Sequence, residues 1–80
     1  MITAKQAAML VEKHGGLTPV RCFKIMENCF LFVVKSDSGK QPLDPFYTVE
    51  MSSGKIAQFV PAADPGLFRS AINGPEIPFR

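Results

Sequence analysis

The chain carries one histidine, His14, and two cysteines, Cys22 and Cys29, with no run of basic residues anywhere in its 80 positions. One imidazole and two thiols without an acidic cluster nearby make a poor zinc site, which needs four such ligands in a tetrahedron. A Cys–His dyad remains only a formal option, because both cysteines stand among Met and Leu and not beside a charge that would polarise a thiol. Lys and Arg are spread from Lys5 to Arg80 and the net charge is +2, so no basic stripe marks a dedicated nucleic-acid binder. No apolar stretch reaches the roughly 20 residues that span a bilayer. The opening MITAKQAAMLVEKHGG is broken by Lys5, Gln6, Glu12 and Lys13, which leaves no room for the apolar core of a signal peptide. A cytoplasmic chain with reduced thiols is the expectation, without membrane association.

Catalytic motifs are equally scarce. Ser38-Gly39-Lys40 and Ser53-Gly54-Lys55 lack the leading glycine of a phosphate-binding loop, and Gln41 and Ile56 stand where Ser or Thr would follow the lysine. Both read as turns. The acids Glu12, Glu27, Asp37, Asp44, Glu50, Asp64 and Glu76 fall in caps, turns and solvent faces, so no pair is nominated for general acid–base work. His14 closes a helix, where an imidazolium favours the negative end of the dipole. Neither an enzymatic activity nor a cofactor is expected.

What the chain does have is apolar: 46% hydrophobic residues and seven Phe, enough for a packed globule. At this length it forms one domain burying about 60–65% of its unfolded surface. Thr3 and Gln6 stand at capping-box spacing and open a helix over 4–14, with Ala4, Ala7, Ala8, Leu10, Val11 and His14 on one side. Gly15 and Gly16 stop it.

Two hairpins follow. The first has strands at 20–26 and 29–35 around a two-residue Glu27-Asn28 turn. It pairs Ile25 with Phe30, Phe23 with Phe32 and Arg21 with Val34, and this face should pack under the helix. Its other face carries Val20, Cys22, Lys24 and Met26 against Lys35, Val33, Leu31 and Cys29. Cys22 and Cys29 are then about four residues out of register, roughly 13 Å along the strands, so two free thiols are expected. The polar stretch Ser36 to Pro45 reads as a linker. The second hairpin, at 46–51 and 55–60, turns through Ser52, Ser53 and Gly54. It pairs Tyr47 with Phe59 and Val49 with Ala57, gathering Tyr47, Val49, Met51, Ala57 and Phe59 on one face. Asp64-Pro65 then starts a short helix over 65–72 with Leu67, Phe68, Ala71 and Ile72 as its stripe. An extended tail at 75–80 can latch on through Ile77 and Phe79. The fold class is α+β in the order α-β-β-β-β-α: a four-stranded antiparallel sheet with helices packed on it.

The helix with its following strands, Tyr47-x-Val49 and then Gly54-Lys55-Ile56, resembles the PepSY-type domain over residues 3–61. That resemblance implies inhibition of peptidases. The pattern DPFYTV…GKI…F.P from Asp44 to Pro61 is also similar to small proteins of phages and their bacterial hosts, which implies a context and no activity.

The functional expectation rests on the second apolar face: Cys22, Met26, Cys29, Leu31 and Val33. Apolar surface of that extent must be covered, either by the C-terminal helix or by another chain. The expected role is a small protein-interaction module binding a protein partner or its own twin as a homodimer. Alternatives are a nucleic-acid-binding accessory protein and a PepSY-like peptidase inhibitor. The aromatic residues argue against the first, since Phe23, Phe30, Phe32, Tyr47 and Phe59 are assigned to the helix-covered face and leave few platforms for bases.

Overall fold

The computed structural model describes residues 1–36 and 45–80. The expected linker therefore falls, for residues 37–44, outside the described residues. Thr3 opens the first helix, α1 (Ala4–His14): its hydroxyl accepts from Gln6 N–H at 3.2 Å, and Gln6 Oε1 accepts from Thr3 N–H at 2.9 Å. Two donors at the helix start are thus satisfied reciprocally. Ala4, Ala7, Ala8 and Val11 form the buried face, and three alanines among four let the helix axis lie close to the sheet.

The sheet contains β1 (Leu17–Ile25), β2 (Cys29–Ser36), β3 (Phe46–Glu50) and β4 (Ile56–Gln58), all antiparallel, in the spatial order β1-β2-β3-β4. A 3-10 turn at Pro61–Ala63 leads into α2 (Pro65–Ile72), where Asp64 accepts from Leu67 N–H at 3.2 Å and Pro65 takes a first-turn position that needs no donor. The order is α-β-β-β-β-α, as the pattern predicts. The two helices cover opposite faces. Phe30, Phe32, Val34, Val49 and Met51 pack with α1, while Phe23, Ile25, Cys29 and Leu31 pack with Leu67, Phe68 and Ala71 of α2. The sheet is therefore a middle layer with a core on each side.

Both hairpins differ from the expected register by one residue. In the first, Ile25 pairs with Cys29, Phe23 with Leu31 and Cys22 with Phe32, around a three-residue loop Met26–Asn28. A slip of one turns every side chain of a strand over. Phe23 and Ile25 thus join Leu31 on the α2 side, and Cys22 joins Phe32 on the α1 side. The expected register would have put five large side chains beneath an alanine-faced helix, with Cys22, Met26, Cys29, Leu31 and Val33 on the other face. The observed one divides that bulk between two layers. Near its start β1 also bulges, the pairing shifting between Pro19 and Arg21, a device that suits an edge strand.

In the second hairpin, Tyr47 pairs with Gln58 and Val49 with Ile56, with a further backbone bond from Phe59 N–H to Phe46 O at 2.8 Å. The loop is four residues, Met51 to Gly54, closed by bonds between Glu50 and Gly54 and between Glu50 and Lys55. A loop of that length spreads the apolar residues over both faces. That spread is what a sheet covered on both faces needs: Tyr47, Val49, Met51 and Ile56 meet the α1 core, and Phe46 and Phe59 the α2 core. Gly54 is favoured by its φ of 75°, and a Cβ there would lie 3.1 Å from Leu10 Cδ1, which would have to give way by a few tenths of an ångström.

Candidate interaction surface

The five residues expected to form one apolar face are separated by this register. Leu31 is fully buried and Cys29 nearly so, both beneath α2, with Val33 half-buried beside them and paired with Phe46. Leu67, Phe68 and Ala71 cover that patch. Phe68 meets Phe46 edge to face at 4.8 Å and lies against Phe59 at 6.1 Å. Ile72, expected in the same stripe, is turned to solvent. Cys22 lies through the sheet in the α1 core, and Met26 has left the strand for the turn, where it is 48% exposed.

Both thiols are free and their sulfurs are held locally. Cys22 Sγ donates to Phe23 O at 3.9 Å and Cys29 Sγ to Asn28 Oδ1 at 3.5 Å. Burial, with Glu76 as a second cause, pushes the Cys22 thiol up to about 12. Burial and then Glu50 raise Cys29 as well. A thiol so raised is a poor nucleophile near neutrality. His14 has Tyr47 as its ring neighbour, with centroids 5.8 Å apart. Among the described residues no three His, Cys, Asp or Glu gather to hold a metal, and no buried side-chain N or O lacks a hydrogen-bond partner.

What remains open is the tip of the first hairpin. Met26 and Glu27 both adopt left-handed backbone, φ 54° and 58°, without being Gly, Asn or Asp. Such residues carry strain that the surrounding structure must hold. Beside them lies an open cleft of about 400 Å³ between the turn and α2. Its apolar wall is Ile25, Met26, Leu67 and Ala71, and Lys24, Glu27 and Ser70 supply polar groups. An apolar centre within a mixed-charge rim has the anatomy of a protein-binding patch. A two-residue Glu27-Asn28 turn hid this cleft by pairing Met26 within the sheet. The warning in the sequence was that Glu27, unlike Asn28, is not a residue that prefers the positive φ a two-residue turn needs at both positions. Compared with known proteins, the chain matches no family model, no curated sequence and no solved structure.

Proposed function

We propose that the protein is a small interaction module that takes an apolar side chain of a protein partner into the cleft between the β1–β2 turn and α2. The observation that carries this reading is Met26: a large apolar side chain 48% exposed, on strained backbone, at the mouth of a cleft with an apolar wall. A solvated turn gains nothing from methionine there, and glycine or asparagine would hold the same backbone at lower cost. Lys24 and Glu27 on the rim add charges of both signs, which suit a polypeptide better than a polyanion. A peptidase, the partner that the PepSY resemblance implies, would be one protein of this kind. The aromatic rings favour a protein over nucleic acid as well, since every Phe and Tyr47 is buried or half-buried and none stands out as a stacking platform.

The test is affinity capture from a bacterial lysate with nuclease treatment, using the wild-type chain, Met26→Leu and Met26→Asp. Because Met26 is exposed, both variants should stay folded. A stoichiometric protein that is kept by Met26→Leu and lost by Met26→Asp is the expected result. Binding indifferent to Met26, or retention of proteins only through nucleic acid, would overturn the reading.

A further inference from the structure

The tail after α2 wraps round the edge of the sheet. α2 lies on one face, yet Ile77 and Phe79 pack into the core on the other, beside Cys22 and Phe32. The chain makes this passage through Asn73, Gly74 and Pro75 and runs along β1, the edge strand. Three kinds of contact hold it there. Ile77 N–H donates to Cys22 O at 2.8 Å, Arg21 Nε donates to Glu76 Oε1 at 2.7 Å, and the Phe79 ring meets Phe32 edge to face with centroids 5.6 Å apart. Pro75 and Pro78 have no N–H to offer, so specificity rests on the two apolar anchors and the N–H of Ile77. A cleft of about 290 Å³ beside the bulged Val20 shows that the tail does not fill the space it crosses.

We propose that this edge is a groove for extended apolar–proline–apolar segments, and that it accepts Ile77-Pro78-Phe79 of a second copy, the two chains exchanging tails. The complementarity needed is already displayed in cis, and every contact is reproduced when the segment comes from a twin. Release is local. The ion pair has its side chains 60% and 51% exposed, so solvent screens it, and one backbone bond joins Ile77 to β1. The hinge residues lie outside both helix and sheet, so opening disturbs neither. The inference concerns the opposite face from the Met26 cleft and stands or falls separately from it.

Cys22 reports on the tail and Cys29, beneath α2, is the internal reference. In the full chain carrying Phe79→Ala, Cys22 should react with a thiol reagent about tenfold faster than in the wild type, and Cys29 at an unchanged rate. A synthetic peptide of residues 74–80 should slow Cys22 again, and the same peptide with its Phe replaced by Ala should not. Unchanged labelling of Cys22, or no protection by the peptide, overturns the groove. If Phe79→Ala speeds both thiols, the whole domain has loosened and Arg21→Gln replaces it. That variant breaks the exposed ion pair while leaving in place Glu76, the charge that after burial raises the Cys22 thiol, and should speed Cys22 alone, about threefold; no change there also overturns the proposal. For the exchange itself, sedimentation of the wild-type chain should reveal a dimer that grows with concentration and is lost in Phe79→Ala. A chain that stays monomeric to millimolar concentration overturns exchange.

Discussion

Cys22 and Cys29 send their sulfurs to opposite faces of one sheet. Cys22 shares the α1 core with Phe32, its cross-strand partner, while Cys29 sits under α2 opposite Ile25. A disulfide between them would have to pass through the sheet, and three residues of β1, roughly 10 Å, separate Cys22 from the residue that faces Cys29. Each thiol therefore monitors the cover on its own side.

The buried Cys22 thiol couples stability to alkaline pH. Its usual value of 9.0 applies to the unfolded chain, and burial followed by Glu76 pushes it up to about 12 in the fold. The unfolded chain then loses this proton first as pH rises. The contribution is complete below pH 9 and lost as pH climbs through 12, at about 1.4 kcal/mol per unit. The urea midpoint should fall between those limits, and Cys22→Ala should remove that part of the slope. An equal slope in the variant would place the titration on another group.

Leu31→Asp should unfold the domain. Leu31 is fully buried between the sheet and α2, so an aspartate there is an unpaired charge in an apolar layer. Even Leu31→Ala should cost about 2–5 kcal/mol, a large share of the roughly 5–15 kcal/mol that holds a small domain together. Circular dichroism of the two variants checks both steps. A folded Leu31→Asp chain would mean that α2 does not cover this face.

The elements were legible in the sequence because their signals are local. Thr3 and Gln6, Gly15 and Gly16, and Asp64-Pro65 each mark a helix end within a few residues. Register was not legible, for a physical reason. An amphipathic strand fixes its register by having one face to bury, but Cys29-Phe30-Leu31-Phe32 is apolar on both, so hydrophobicity tolerates either pairing. What decides is how bulk is shared between two helices of different size, and that is a property of the whole fold. The candidate cleft was lost by the same slip, since it exists only when Met26 leaves the strand. The tail's anchors were visible as Ile77 and Phe79, but its path round the β1 edge was not.

The β3–β4 turn should show its own titration. Ser53 and Ser52 hydroxyls donate to Glu50 Oε1 at 2.7 and 3.0 Å, and with Lys55 they hold its carboxyl below the usual range. A lowered carboxyl stabilises the fold above its unfolded value, 4.5, and that contribution fades as pH falls. Carboxyl chemical shifts followed through an acid titration should show Glu50 protonating below the ordinary glutamate value of 4.5. In Ser53→Ala its midpoint should rise toward the ordinary value. No movement would deny the hydroxyl its role.

The β1–β2 turn sets stability against binding, and two glycine substitutions separate them. Met26 and Glu27 both carry positive φ, a conformation that costs an L-residue about 1–2 kcal/mol and glycine little. Some of that gain is returned because glycine loosens the unfolded chain. Glu27→Gly should thus stabilise by about 1 kcal/mol, raising Tm by about 4–8 °C for a domain of this size. It removes one rim charge and keeps the apolar contact, so binding should persist. Met26→Gly should stabilise to a similar degree but abolish partner capture, because the exposed apolar side chain is gone. Thermal melts and capture on the same two proteins make the comparison. If Met26→Gly melts higher and still binds, the strained methionine has no functional return. If neither variant melts higher, the turn is not strained and Met26 needs no such explanation.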